Sequence, residues 1–315
     1  MHAKWFLFSL CLAVALFGCA SAPTAPIKQH LTILHFNDLR GHLQPHPAPG
    51  TDQPLGGVAR LTTLVNRIRK QNDAHNIPTL LFYSGGFLSG SPVADEYRGE
   101  ATLRVLNVLG IDGTTVAADD LKFGRKHFDK LVDEAKFPWL VTHLREKDKN
   151  YPWLPLGFGR RLATGLIIGV VGVTDMTLLE NTPRIDRRDL AIDDPVLPTQ
   201  VALVRSGGTG AVNVILSQCG LECNKRLARE ITSVDVILAG GDRQLYREPI
   251  MENGVPILQA GARGEYLGRL DLERVGSEVR IVRYKVYPIT PDLAEDRIVK
   301  SLADGFVNRL KQKKN

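Results

Sequence analysis

Short apolar segments that run into glycine and polar residues recur along this chain, and this pattern constrains the fold most. The first segment, residues 31–34, is followed by Asn37 and Asp38. Apolar runs of this length with β-branched residues are typical of buried strands. Residues 56–70 instead show apolar side chains at helical spacing. The other segments, with the polar residues that follow them, occupy residues 79–91, 111–120, 212–218 and 234–243.

Alternation of these strands with helices predicts parallel sheets, because parallel strands need a crossover connection. The carboxyl ends of parallel strands meet at one edge of a sheet, where α/β proteins place their binding groups. We therefore predict a layered α/β sandwich whose polar loops gather at one rim. A last helix is predicted from about residue 292 to residue 311.

The amino terminus predicts a secretory signal over residues 1–18. Lys4 precedes an apolar run from Trp5 to Phe17 that only Ser9 interrupts. This run is too short to span a bilayer as a permanent helix.

Cys19 follows Gly18 and resembles the acylated cysteine of the bacterial lipoprotein lipobox. The resemblance implies a lipid-anchored, periplasm-facing protein of the bacterial cell envelope. Residues 19–29 would then form a tether, and the membrane would be a partner through the lipid. Ala20 at the next position resembles outer-membrane sorting. The alternative is an ordinary signal cleaved near residues 20–22.

The charge of the chain does not indicate a nucleic-acid partner. It has 40 Lys and Arg against 34 Asp and Glu, a formal net charge of +6. The dense basic cluster at residues 311–314 is typical of a solvated helix end.

Two cysteines remain in the body of the chain, Cys219 and Cys223. In an oxidising periplasm such a close pair predicts a disulfide. The spacing offers no histidine for a zinc or haem site, and thiol chemistry stays a minor alternative.

Several ordered segments resemble the 5′-nucleotidase family of calcineurin-like metallophosphoesterases. They are residues 33–41, 84–91, 106–124, 214–220, 235–241 and 259–270, so the resemblance covers about residues 30–290. It implies an α/β/β/α sandwich over residues 30–290, followed by a C-terminal helix over residues 291–315. The family's nucleotide-specificity domain is expected to be absent, so nucleotide selectivity cannot be carried over.

The family's chemistry needs two metal ions, which bind the phosphoryl oxygens and activate a water. Of the family's ligand positions, only Asp38 keeps its residue here. Arg40 replaces a histidine, and an arginine cannot ligate a metal because its guanidinium has no acceptor. Gly86 stands at the position of the family's aspartate whose carboxylate bridges the two metals. The remaining vestigial positions are Ala118, Asp119, Gln218, Gly241 and Arg243.

Cations are expected to stand where the metals stood. We predict that Arg40, Lys122 and Arg243 form an ion-pair cluster with the nearby carboxylates, since a buried carboxylate left alone is costly. The same three cations are candidates for an anion site with the glycine loop.

The sequence therefore favours a non-catalytic binding or scaffold protein, a pseudo-phosphoesterase with no metal cofactor and no catalytic residue. Its partner would be an envelope protein or a small anionic ligand. The alternative is a metal-dependent phosphoesterase with a site rebuilt from carboxylates, which would hold Mn, Zn, Mg or Ca. The rebuilt ligands would be Asp38, Asp119, Asp120 and Asp242.

Overall fold

The computed structural model of the chain describes residues 28–48, 50, 53–148 and 151–314. The predicted signal, Cys19 and most of the predicted tether lie outside these residues. Within the described ranges, none of the helices combines the length and apolar character that crossing a membrane requires.

Seventeen strands are found in the described residues. They are β1 (Lys28–Phe36), β2 (Pro45–His46), β3 (Leu55–Gly56), β4 (Thr79–Tyr83), β5 (Gly113–Thr115), β6 (Trp139–Leu140), β7 (Leu144–Glu146), β8 (Tyr151–Pro152), β9 (Gly157–Arg161), β10 (Ile167–Val173), β11 (Leu190–Ile192), β12 (Ala211–Ser217), β13 (Val236–Ala239), β14 (Ile250–Glu252), β15 (Val255–Leu258), β16 (Tyr266–Val275) and β17 (Glu278–Pro288).

Eight α-helices accompany the strands in the same part of the chain. They are α1 (Val58–Asp73), α2 (Pro92–Tyr97), α3 (Glu100–Leu109), α4 (Arg125–Glu134), α5 (Arg184–Arg187), α6 (Val196–Ser206), α7 (Leu221–Glu230) and α8 (Arg297–Lys314).

Two six-stranded sheets organise the domain. The strand order is β17-β16-β1-β4-β5-β6 in the first sheet and β14-β15-β13-β12-β10-β9 in the second. The central neighbours are parallel in both sheets, whereas β16, β17, β9 and β14 pair antiparallel with their neighbours. The parallel strands therefore end along a common rim.

The two sheets face each other across an apolar layer. Side chains from both sheets form it, among them Ile33, Phe82, Val170 and Leu238. Helices α1, α3 and α8 cover the outer face of the first sheet, and α6 and α7 cover that of the second. The predicted α/β/β/α sandwich is confirmed.

A glycine allows the sheets to approach closely at one point. A Cβ atom at Gly172 of β10 would collide with the backbone carbonyl of Leu140 in β6. Since a backbone atom cannot move aside like a flexible side chain, this crossing requires a residue without a side chain.

Several element boundaries differ from the sequence prediction. Helix α8 begins at Arg297, five residues later than expected, because the Asp296 side chain accepts hydrogen bonds from the N–H groups of Ile298 (3.1 Å) and Val299 (3.0 Å). A small sheet of order β11-β7-β8 was not predicted. Its strands are two or three residues long, too short to show a hydrophobic period.

His35 lies in the interior of β1 and is fully buried. Its neighbour on β16 is Gly268, where a Cβ atom would collide with the imidazole ring. The Nε2 atom of His35 lies 3.4 Å from the hydroxyl of Tyr284. Burial lowers the pKa of His35 to about 3, so the ring is neutral in the folded protein.

Stability is expected to fall as the pH is lowered from 7 to 5. The unfolded chain takes up a proton at His35 near its ordinary pKa while the folded chain does not, so unfolding is favoured at low pH. The contribution of His35 is about 2 kcal/mol of unfolding free energy over this interval. Urea denaturation at the two pH values measures it, and His35→Leu is expected to flatten the dependence.

His75 provides the matched control, because its ring is solvent-exposed at the end of α1. His75→Gln is expected to keep the wild-type pH dependence. An unchanged dependence in His35→Leu would contradict the assignment. The dependence left in that variant combines two opposing groups, because burial lowers the pKa of His143 to about 4 and raises that of Asp120 to about 6.

Candidate functional site

Loops from both sheets meet at the rim. The Asp38 N–H donates to the carbonyl of Gly85 at 3.0 Å, which joins the loops that follow β1 and β4. The Ser84 hydroxyl donates to the carbonyl of Leu238 at 2.9 Å, and this bond joins the first sheet to the second. The loops thus form one connected surface.

Asp38 lies among these loops, and its side chain is fully buried beneath them. Its backbone has a φ of 49°, a left-handed conformation that few residues adopt but that aspartate tolerates. Its Oδ2 atom accepts hydrogen bonds from the Asn37 amide (3.0 Å) and from the N–H of Gly241 (2.8 Å). Its Oδ1 atom has no hydrogen bond within the described residues and lies 4.0 Å from Nη1 of Arg40.

The environment of Asp38 opposes its charge overall. Burial raises the pKa of the Asp38 carboxyl above its usual range. The hydrogen bonds from Asn37 and Gly241 and the charges of Arg40 and Arg243 act in the opposite direction. Fixed donors and cations therefore offset part of the desolvation cost of this carboxylate.

The Arg40 guanidinium occupies the space between Asp38 and the loop that follows β5. Its Nη2 atom donates to the Ser89 hydroxyl at 2.8 Å and lies 3.3 Å from Oδ2 of Asp119. Ser89 also donates to Asp119, at 2.6 Å. A permanently charged group thus bridges two carboxylates and a hydroxyl.

The other two predicted cations have different surroundings. The Nζ atom of Lys122 lies 2.7 Å from Oδ1 of Asp95. Arg243 is solvent-exposed, with a φ of 59°, and is near enough to lower the pKa of Asp38. Asp242 hydrogen-bonds Tyr246. The structure thus brings Arg40 and Arg243 to Asp38 and leaves Lys122 with another partner.

The bridging position at Gly86 is closed. A Cβ atom on Gly86 would lie 2.8 Å from Oδ1 and 2.9 Å from Cα of Asp38. On the other side, the Gln218 side chain is buried and donates to the carbonyl of Ser84. A Cβ on Gly85 would lie 2.9 Å from Cγ of Gln218. The loop after β4 therefore occupies volume that a larger side chain would need.

Asp120 holds the glycine loop in this position. Its carboxylate accepts hydrogen bonds from the N–H groups of Phe87 (2.9 Å), Leu88 (3.3 Å) and Ala117 (2.8 Å). Burial raises the pKa of Asp120 to about 6 in spite of these donors. Ala118, at the family's asparagine position, contributes only a methyl group.

Tyr83 and Asn37 also support the site, and neither was predicted. The Tyr83 hydroxyl donates to the carbonyl of Gly86 at 2.7 Å and accepts from the N–H of Leu39 at 3.0 Å. Burial, followed by the Asp38 charge, raises its pKa well above the usual range. Asn37 donates to the carbonyl of Gly261 at 2.6 Å. The sequence does give a signal for both residues: each stands at the end of a predicted strand, next to the glycine loop or next to Asp38.

The donor set does not fit a pair of metal ions. Within the described ranges, no group of three or more His, Cys, Asp and Glu side chains is arranged to hold a metal. Oδ1 of Asp38 is open to a cation, but Arg40 carries its own charge beside it. Gly86 and Ala118 have no side-chain donor atoms, and Asp119 already binds Arg40 and Ser89.

Cys219 and Cys223 are joined by a disulfide, with their Cα atoms 5.7 Å apart. The bond links the loop after β12, which carries Gln218, to the first turn of α7. It therefore restrains the segment that presents Gln218 to the rim.

Removal of the Arg40 side chain is expected to destabilise the domain. Arg40→Ala should lower the free energy of unfolding by about 2 kcal/mol, because Asp38 is fully buried and loses its nearest cation. Adding Asp38→Asn should recover part of this loss, since the neutral amide needs no cation. Chemical denaturation of the two single variants and the double variant measures the coupling.

Lys122→Ala is the control for Arg40→Ala. It removes a cation from the same rim, but one paired with the exposed Asp95, so the expected loss is below about 0.5 kcal/mol. Equal losses of unfolding free energy in Arg40→Ala and Lys122→Ala would rule out the ion-pair cluster. Additive effects of Arg40→Ala and Asp38→Asn on the unfolding free energy would also rule it out.

Curated relatives are about a quarter identical in sequence to the chain in alignments that cover most of it. It is 25% identical over 249 residues to the uncharacterized metallophosphoesterase YunD of Bacillus subtilis, covering 78% of this chain and 50% of that protein. It is 28% identical over 300 residues to the 5′-nucleotidase of Rattus norvegicus, covering 86% and 50%. The chain thus spans about half the length of these relatives. No protein-family model matches it.

Solved structures show the same fold. The sulfate thiohydrolase SoxB of Thermus thermophilus superimposes with a TM-score of 0.80 at 21% identity, over 90% of this chain and 61% of that one. A 5′-nucleotidase precursor, also from Thermus thermophilus, gives a TM-score of 0.78 at 22% identity, over 90% and 59%. With the ordered rim segments, these similarities show that the chain has the calcineurin-like metallophosphoesterase fold and is similar to the amino-terminal half of 5′-nucleotidases.

Proposed function

We propose that this protein is a non-catalytic member of its family, which uses the metallophosphoesterase fold for binding. The closed geometry around Asp38 carries this proposal. Two hydrogen bonds hold its Oδ2 atom, the Arg40 guanidinium lies beside its Oδ1 atom, and the loop at Gly86 lies too close for a bridging side chain.

The chemistry of metal-assisted hydrolysis explains why this arrangement is expected to be inactive. Two metal ions neutralise the phosphoryl oxygens and lower the pKa of the attacking water. The guanidinium of Arg40 can supply positive charge, but it offers no open coordination position to a water. The cluster can stabilise the fold at the rim and has no means of generating a nucleophile.

The alternative function is a metal-dependent phosphoesterase with a rebuilt site. One observation favours it: Oδ1 of Asp38 is buried and has no hydrogen bond within the described residues. A cation there would need oxygen ligands from Asp119 or Asp242, and Arg40 and Ser89 would have to release Asp119.

Metal analysis of the purified protein separates the two functions. After incubation with manganese, zinc or calcium and removal of excess ion, we expect well under one ion per chain. A phosphodiester and a nucleotide assay on the same samples should show no turnover. Both results are expected because glycine stands where a carboxylate would have to bridge the two ions.

One or two tightly held ions per chain, with turnover abolished by Asp38→Asn, would refute the proposal and favour the rebuilt site. Asp95→Asn is the control variant, because Asp95 is an exposed rim carboxylate paired with Lys122. If the protein has a rebuilt metal site, the Asp95→Asn variant should keep full phosphoesterase activity.

We also propose that the protein is a lipoprotein of the bacterial cell envelope, anchored through Cys19 and facing the periplasm at the outer membrane. The lipobox-like sequence before Cys19 supports this, and the disulfide suits an oxidising compartment.

Cys19→Ala is expected to abolish incorporation of labelled palmitate and to release the protein from the membrane fraction. Cys11→Ala, which changes a cysteine inside the predicted signal, should retain both properties. Labelling of the Cys19→Ala variant at the wild-type level would exclude lipidation at this residue.

A further inference from the structure

A groove with apolar walls lies beside the rim, between the loop that follows β1 and the last turns of α8. Its volume is about 320 Å³, at the lower end of the range for small-molecule pockets. It is outside the Asp38 cluster, although His42 in its wall is only two residues from Arg40. Its apolar walls are formed by Leu43, Pro45, Pro92, Val93, Val307 and Leu310.

One cation lies at the edge of this groove. Lys311 is exposed on α8 and lines the groove; within the described residues it makes no direct hydrogen bond or ion pair, although its charge helps to lower the pKa of Asp304. Its acidic neighbour, Asp304, is already held by the Gln44 amide at 2.6 Å and by Lys300 at 3.2 Å. Lys313, two residues further along α8, binds Glu96 at 2.6 Å. Lys311 can therefore meet an anion from outside without breaking a direct contact within the described residues, since Asp304 is already held by Gln44 and Lys300.

The two imidazoles in the wall do not offer a metal site. Nε2 of His42 lies 3.1 Å from the carbonyl of Gly90, and Nε2 of His46 lies 2.9 Å from Oε1 of Glu265. The rings themselves are 5.0 Å apart and tilted by 49°.

We infer that this groove binds a small amphipathic carboxylate, with its alkyl chain along the apolar wall and its carboxylate against Lys311. The apolar wall would bind the alkyl chain of the ligand, and the exposed ammonium of Lys311 would bind its carboxylate by charge complementarity. This inference goes beyond the proposed function, because it concerns a site that shares no side chain with the Asp38 cluster.

The first test is calorimetric titration of the full chain with butanoate, hexanoate and octanoate. Each added methylene is expected to tighten binding by about fourfold, because it adds apolar surface to the groove. Octanol, which has the same chain length without the charge, should bind more weakly than octanoate. Absence of octanoate binding, or affinities independent of chain length, would overturn the proposal.

Variants on α8 test the position of the carboxylate. Lys311→Ala should weaken octanoate binding by about fivefold and leave octanol binding unchanged. Lys313→Ala is the matched control, because it removes an ammonium already paired with Glu96, and it should change neither ligand. Val307→Phe should weaken the binding of both octanoate and octanol, because the larger side chain fills the groove.

Two outcomes would reject the assignment. Equal effects of Lys311→Ala and Lys313→Ala on octanoate binding would refute the role of Lys311. Unchanged binding of both ligands in Val307→Phe would place them outside this groove. Circular dichroism of each variant confirms that the fold is intact before the affinities are compared.

Discussion

The hydrogen bond between the Asp38 carboxylate and the Gly241 N–H connects the two sheets at the rim, and the neighbouring contacts are arranged around it. Asp38 follows the first strand, whereas Gly241 follows β13 of the second sheet. The bond holds a charged group in a fully buried place, so the domain must supply compensating donors and cations there. Asn37 meets that requirement by a hydrogen bond, and Arg40 and Arg243 meet it through their charge.

The proposed function requires that carboxylates at the rim be held together without metal ions. Metal ions hold carboxylates together by direct bonds, and their removal leaves like charges in contact. Here Arg40 supplies a permanent charge between Asp38 and Asp119, and glycine at position 86 lets the loop close onto Asp38. These contacts offset part of the desolvation cost of Asp38 and bring the glycine loop against it.

The layers could be predicted from sequence because they depend on local patterns. Runs such as residues 79–83 are apolar for most of their length, and the helix-forming period appears between them. The partners of side chains could not be predicted in the same way. Lys122 is close in sequence to Asp119 and Asp120, but it pairs with Asp95, since only the folded chain determines which charges meet. The short strands β7, β8 and β11 were missed for lack of a measurable period.

Strand β1 separates two ends of the domain. It runs nine residues from Lys28 to Phe36 and leads into Asp38 at its far end. At roughly 3.3 Å per residue, its two ends are about 26 Å apart. A group that binds at the rim is therefore kept away from the start of β1 by the full length of the central strand, so the two ends of the domain can make contacts independently of each other.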